Sequence, residues 1–293
     1  MSLKTFTEVL NGDHELAIRL AFIDFKSFYT GSLSRTDLVN EFSVSEITAT
    51  RILSEYKKVR PKNITYSNKE KKFLLEKSFV PLIDIHAEDA LSMLATGFDK
   101  NKLLRGRKII RYERIGLHQP LLNRDSIATI TRSIYNKKNI KCRYYSAANA
   151  DKSERVLSPL VIMFDGRNWI FRAHHENSNT LIKFKNFNFS RVIDVTETEC
   201  DIDREHSLEY DELWNKFLPL ELEINASLNE TLKNEVRRDF SIPDEENKVL
   251  LTERAAFIWI ILNQWAVSYC DNNITSAKFI LKNADMLKNQ GAI

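Results

Sequence analysis

Apolar positions recur at helical spacing over the first sixty residues, switch to alternation, and later return to helical spacing. Leu16, Leu20, Ile23 and Phe28, widened by Ala17, Ala21 and Phe25, mark one face of a helix over residues 16–30 that Gly31 stops. Ser34 with Asp37 three residues on predicts the capped start of a short helix reaching about Phe42. Ser43-Val44-Ser45 then reads as a tight turn, and Ser45 as the cap of a second helix running toward Lys58. Leu38, Val39, Val44, Ala49, Ile52, Leu53 and Tyr56 can pack on the first helix, which leaves Ser45, Glu46, Thr48, Thr50, Arg51 and Ser54 on or beside the outer face. After Pro61 the pattern predicts two short strands around a polar Ser67-Asn68-Lys69-Glu70 turn, a wing.

A helix over residues 124–138 leads into alternating strands at 140–146, 155–163, 169–174 and 185–192, with a turn at Asp165-Gly166. Ile140, Cys142, Tyr144 and Ser146 share one face of the first of these. Several short strands broken by turn residues suggest a small β-barrel. Further on, Leu218, Leu220, Leu222 and Ile224 alternate in a strand. A helix at 230–240, a short strand at 249–251 and a helix at 254–269 holding Trp259 and Trp265 come next. That last helix, apolar nearly all round, is expected to be buried in its own core or against a partner.

The expected class is therefore α+β and multidomain. A chain of 293 residues, 43% apolar with 17 Phe, 9 Tyr and 4 Trp, can fill two or three cores, and only 7 Gly and 6 Pro argue against a disordered or fibrous protein. The opening segment carries charges throughout, and the longest apolar run, AAFIWIILNQWAV, is too short to span a bilayer. A soluble, cytoplasmic protein without membrane attachment is expected. Cys142, Cys200 and Cys270 are far apart with no CxxC, which argues against a disulfide framework or structural zinc and fits a reducing compartment. No cofactor is indicated.

Net charge of +3 conceals an asymmetry. From Asp194 onward 10 basic residues face 20 acidic ones, whereas the preceding part holds 33 against 20. Such a distribution is that of a chain whose first two-thirds face a polyanion, or of a merely solvated surface. A helix that enters a DNA groove needs short polar side chains near its N-terminus to reach base edges and phosphates. Ser45, Glu46, Thr48, Thr50, Arg51 and Ser54 on the outer face are expected to make such contacts, with Arg35, Lys57 and Lys58 as further DNA-binding candidates, and Lys69, Lys71 and Lys72 would lie where a wing meets backbone phosphate. The alternative is a winged helix that docks on protein, with the barrel serving as a single-strand sensor.

In the middle segment Tyr144, Ser146, Arg155, Arg172, His174, Lys185 and Arg191 would supply many donors and few acidic partners, the chemistry of an anion site, with Trp169 as a stacking face. Trp169, Phe171, Phe187 and Phe189 equally suit a plain core, Arg155 and Arg191 could be structural ion pairs, and His175 is expected to face solvent. Asp201-x-Asp203 with His206, and His174-His175-Glu176, hint at metal chemistry. Without HExxH, a P-loop or a nucleophile elbow, they do not make an enzyme.

Two resemblances follow from these residues. Residues 38–53 resemble the helix-turn-helix pattern L-A-x-x-x-G-V-S-x-x-T-V-S-R-x-L, matched at Val39, Val44, Ser45, Thr48, Ala49, Thr50, Arg51 and Leu53, with Ser43 in place of the turn glycine. Tyr144-x-Ser146, Arg155-x-x-x-Pro159, Trp169-Ile170-Phe171 and Lys185-x-Phe187-x-Phe189-x-Arg191-Val192 resemble the WYL family, with Lys185 where Arg is usual. The resemblance implies an Sm-like barrel with a pocket for a nucleotide or single-stranded nucleic-acid effector, and a small α/β C-terminal dimerisation domain. The layout is most similar to regulators of the BrxR/CapW type that accompany bacterial anti-phage systems. It implies a winged helix-turn-helix at 1–95, a basic helical linker at 96–125, a WYL domain at 126–200 and the dimerisation domain at 205–293. A homodimeric repressor on an inverted-repeat double-stranded operator is the function so implied.

Overall fold

The computed structural model describes residues 6–8, 10–104, 110–111, 121–146, 154–178, 180–269 and 277–293. They form two compact units, residues 1–202 and 203–293. Much of the basic segment expected as a linker, and Cys270, lie outside the described residues.

The first unit is organised around α1 (His14–Thr30). Asp13 caps it by accepting from Leu16 N, and Gly31 ends it at φ 81°, a left-handed conformation that costs glycine little. Ten of its seventeen residues are buried, too many for one stripe, because helices cover it on two sides. On one side lie α2 (Arg35–Phe42) and α3 (Glu46–Val59). Ser34 and Asp37 close the expected capping box, and Ser45 Oγ accepts from Thr48 N at 3.2 Å. Ser43 between them takes φ 51°, the left-handed turn that glycine usually supplies. Strands β1 (Ser32–Leu33), β2 (Ile64–Ser67) and β3 (Lys72–Leu75) form a sheet in the order β1-β3-β2, whose β2–β3 hairpin is the wing.

A buried carboxylate locks α3 to α1. Asp24, 3% exposed, accepts from the Tyr56 hydroxyl at 2.8 Å and from Leu82 N at 2.8 Å, and Asn63 donates to the same hydroxyl at 2.9 Å. Burial pushes the Asp24 carboxyl up to about 6.

Beyond α4 (Ala87–Thr96) and α5 (Lys100–Leu104), α6 (Arg124–Asn136) covers the other side of α1. Its side chains satisfy acceptors at the end of α1: Arg132 donates to Phe28 O at 2.9 Å, Thr131 to Tyr29 O at 2.9 Å and Asn136 to Thr30 O at 3.2 Å. The guanidinium groups of Arg124 and Arg132 lie 5.5 and 5.8 Å from the Phe28 ring centre. Lys137, left-handed at φ 54°, then passes the chain directly into β4. Strands β4 (Lys138–Tyr144), β5 (Glu154–Phe164), β6 (Trp169–His175), β7 (Phe184–Asn188) and β8 (Val192–Asp201) form an antiparallel sheet ordered β7-β6-β5-β4-β8. One apolar core runs from Phe6 through α1, α3 and α6 to Phe189, so the winged-helix part and this sheet share a core.

The second unit comprises α7 (Glu212–Asn215), β9 (Phe217–Ile224), α8 (Glu230–Asp239), β10 (Lys248–Arg254), α9 (Ile258–Gln264), β11 (Val267–Ser268), β12 (Phe279–Leu281) and α10 (Ala284–Asn289). Its sheet runs β10-β9-β12-β11 over a core of Leu218, Leu220, Leu222, Ile224, Ile258, Leu262 and Phe279. The long helix expected at 254–269 is corrected here. Arg254 ends β10 opposite Phe217, a 3-10 turn follows, and Ala266 at φ 52° halts α9 so that Val267 and Ser268 pair in parallel with β12. Trp259 is half exposed, so the helix is not buried all round. Among the described residues no helix is long and apolar enough to cross a membrane.

Candidate functional site

The first candidate surface is the outer face of α3. Ala49, Ile52, Leu53 and Tyr56 turn inward, which leaves Glu46, Ile47, Thr50, Arg51, Ser54 and Lys58 exposed along one stripe. Several hydroxyls on this helix are satisfied locally. Ser45 and Thr48 serve the cap, Thr50 Oγ1 donates to Glu46 O at 2.9 Å, and Ser54 Oγ donates to Thr50 O at 3.0 Å. Lys58 pairs with Glu55 at 2.8 Å, and Lys57 lies half-buried with its ammonium 5.3 Å from the Phe73 ring centre, tying α3 to the wing. Arg51 differs. It is exposed, and among the described residues no carboxylate pairs with it. Lys69 and Lys71 stand exposed at the wing turn with Lys72 half-buried beside them, and Arg35 is exposed at the first turn of α2. All twelve residues expected to meet DNA thus lie on the surface or at its margin. Sequence reasoning passed over Ile47, 77% exposed on the same stripe, because an isoleucine reads as core.

The second candidate surface is one face of the five-stranded sheet. Cross-strand partners share a face, and the register sets Cys142 opposite Arg155, Leu157 opposite His175, Ala173 opposite Lys185 and Phe171 opposite Phe187. Tyr144, Arg155 and Lys185 therefore converge. The Arg155 guanidinium lies 5.1 Å from the Tyr144 ring centre and 6.0 Å from that of Phe187, and Lys185 Nζ donates to Ser178 Oγ at 2.7 Å. Among the described residues neither cation has a carboxylate partner. Burial and the neighbouring charge of Arg155 hold the Lys185 ammonium below its ordinary range. Tyr144 is raised by burial, and the exposed Arg191 offsets part of that rise.

The remaining candidates divide. Arg172 and His174 occupy the opposite face, with Arg172 Nη1 donating to Asn186 Oδ1 at 2.8 Å and His174 5.0 Å from the Phe184 ring centre. Alternation along β6 separates them from Arg155. Trp169 packs 4.9 Å from Phe164 at the far end of the β5–β6 hairpin, where it helps line a cavity of about 660 Å³ with α4 residues, and Ser146 is half-buried just past β4. His175 corrects the sequence expectation. It is buried, 6.2 Å from the Phe187 ring centre, and burial together with Lys185 and Arg155 pushes its imidazole down to about 4, so it is neutral at pH 7. The sequence signal was its parity with Phe171, two strand pairs away on the same face.

The acidic residues of the Asp201-x-Asp203 segment are engaged or solvated. Asp201 pairs with Lys138 at 2.7 Å, Asp203 lies exposed 3.9 Å from His206 Nδ1, and no group of three ligands that could hold a metal occurs among the described residues. Cys142 is buried with its thiol pushed up to about 12, which suits packing rather than chemistry.

Comparison with known proteins follows the same division. Residues 15–96 match the family described as the BrxR transcriptional regulator winged helix-turn-helix domain, and residues 125–197 match the WYL domain. Three relatives bear the name DNA-binding transcriptional repressor CapW. The protein from Escherichia coli (strain KTE188) is 25% identical over 252 residues, covering 84% of this chain and 81% of its own length. That from Stenotrophomonas maltophilia is 27% identical over 236 residues, covering 77% and 75%. That from Pseudomonas aeruginosa is 24% identical over 279 residues, covering 92% and 90%.

Proposed function

The chain belongs to the regulators that join a BrxR-type winged helix-turn-helix to a WYL domain, and from that premise we propose that it binds a double-stranded operator as a homodimer and represses transcription from it. It acts by binding, not by catalysis. The observation that carries this reading is the uncovered polar stripe of α3, with Arg51 free of any carboxylate among the described residues and the wing lysines exposed in the same sheet-and-helix module. A guanidinium in that state loses only water when it meets guanine O6 and N7 or a phosphate. The names of the relatives favour repression, and the resemblance to regulators of anti-phage systems favours a phage-defence operon in a bacterial cytoplasm.

Dimerisation is assigned to residues 205–293. The outer face of β9 and β10 carries Phe217 beside Arg254, with Leu250 further along the edge strand, and Trp259 projects from α9. A C2 pair of such faces would remove them from water and set two α3 helices on half-sites about one helical turn apart. The remaining extents are a winged helix-turn-helix at 1–95, a basic linker at 96–125 and a WYL domain at 126–200 whose five strands curl as an Sm-like barrel.

Effector sensing is assigned to the face bearing Tyr144, Arg155 and Lys185, with Arg191 at its edge. Two cations without an acidic partner beside aromatic rings suit a nucleotide or a short single strand, which brings both phosphate and a base to stack. The connection to DNA runs through α6, which leads into β4 at one end and holds the last carbonyls of α1 along its length.

The test is selection of binding sites by the full-length chain from a random duplex pool, with the chain's own upstream region as a second probe. Recovery of an inverted repeat bound better than its single strands supports the reading. Equal binding to the separated strands, with no repeat recovered, supports a single-strand sensor whose winged helix docks on protein.

A further inference from the structure

Ile47 is the one large apolar side chain on the exposed stripe of α3, 77% exposed where its neighbours are Glu46, Thr50, Arg51 and Ser54. Local helix physics gives no reason for it. A β-branched residue loses side-chain freedom in a helix, and the first turn favours acidic or small polar groups next to the positive end of the dipole. Packing gives no reason either, since Ala49, Ile52, Leu53 and Tyr56 already fill the inner face. Its place does. It stands one helical turn before Arg51 on the same stripe, in the first turn of the helix, the part that reaches deepest into a major groove.

The major groove offers one apolar group, the 5-methyl of thymine. We propose that Ile47 reads thymine through that methyl, as an apolar element of operator recognition beside the polar readout by Arg51. This deepens the proposed function and rests on it. Four residues of helix rise about 6 Å, and base pairs rise about 3.4 Å, so the thymine falls within roughly two base pairs of the base that Arg51 contacts. The charge of the surrounding surface selects the occupant. Arg51, exposed one turn along the same stripe, and Lys69 and Lys71, exposed at the wing turn, give this module surface cations, which suits a groove lined by phosphates and opposes an ordinary apolar protein surface.

The test uses the full-length protein and the duplex it recovers from a random pool. Each thymine of the half-site is replaced in turn by uracil, which deletes the methyl and leaves every hydrogen-bonding group in place. One symmetry-related thymine pair is expected to matter, with uracil at both half-sites weakening binding about tenfold, the effect of removing two methyl contacts. Ile47→Ala should bind the thymine and uracil duplexes equally while keeping the dimer mass and melting temperature of the parent, and Ile47→Val should keep part of the preference. A duplex bound equally with thymine or uracil throughout, or an Ile47→Ala variant that keeps the parent's preference, overturns the inference and leaves operator binding standing. An altered oligomeric state in Ile47→Ala with no change in thymine preference assigns the side chain to a protein contact, and overturns it too. Failure to recover any duplex overturns both.

Discussion

The two candidate surfaces place their charges in opposite ways. On α3 the arginine is exposed and the short polar side chains around it are satisfied by their own helix. On the WYL sheet Arg155 is buried, with its guanidinium near the rings of both Tyr144 and Phe187, and its charge adds to burial in depressing Lys185 and His175. A surface of the first kind suits a large rigid partner that supplies its own shape and desolvates the charge on arrival. A surface of the second kind already bears the cost of holding like charges together, and an anion relieves it. The difference teaches what supports each proposed role: exposure of the charge favours docking on α3, whereas unrelieved repulsion favours effector sensing on the sheet.

The largest expected effect separates the two by salt. Binding to an operator through about six to ten phosphates should weaken by roughly 10³–10⁵ between 50 and 200 mM salt. An effector held by the buried Arg155 face should lose far less over the same range, because a buried pair is poorly screened. Equal salt dependence, measured by anisotropy for both ligands, would erase the contrast.

Arg51→Ala comes next. Loss of a bidentate base contact should weaken operator binding roughly ten- to hundredfold while dimer mass and melting temperature stay as they were. Arg155→Ala should do the reverse, leaving operator binding nearly intact and abolishing the response to effector. It should also raise the His175 pKa from about 4 by the part due to Arg155 and leave the larger burial effect in place. A histidine titration by NMR that does not move would remove Arg155 from that cluster.

Gly31→Ala probes the joint between the surfaces. A Cβ there would sit 3.2 Å from Asn136 Nδ2 in a backbone conformation with φ 81°, so the variant is strained twice. A loss of about 1–2 kcal/mol, seen as a fall of roughly 2–8 °C in melting temperature, is expected. A pH slope probes the buried carboxylate that ties α3 to α1. The Asp24 pKa is raised from 3.8 to about 6, so its contribution to stability is fully present below about pH 4 and is lost as pH rises through 6. Across that window the parent should lose about 2–3 kcal/mol from this group, and Asp24→Asn should flatten the slope in denaturant titrations.

What could be read in the chain beforehand was what local chemistry decides. The Ser34–Asp37 box, the cap at Ser45, the turn at Ser43, the wing hairpin and the alternation in β4 each depend on residues within a few positions of one another. What could not be read depends on partners far along the chain. Asp24 is buried because Tyr56 and Leu82 come to it from 32 and 58 residues away. Arg172 and Arg155 fall on opposite faces because Pro159, in phase with Arg155, pairs with Ala173, a register that no single strand encodes. His175 shares the parity of Phe171, but that Leu157 and Phe187 close over that face depends on strand pairing rather than on the strand itself. The apolar run around Trp259 concealed a turn at Ala266 because hydrophobicity without a clear period does not distinguish helix from strand.

Presentation of α3 to the major groove, twice per dimer, is best tested by methylation interference on the recovered operator, since N7-methylguanine blocks that groove alone. Two clusters of interfering guanines about 10 base pairs apart, or a multiple of that spacing, are expected for the parent, with the guanine facing Arg51 dropping out of the pattern in Arg51→Ala. Binding indifferent to N7 methylation, or one pattern shared by the parent and Arg51→Ala, would contradict it.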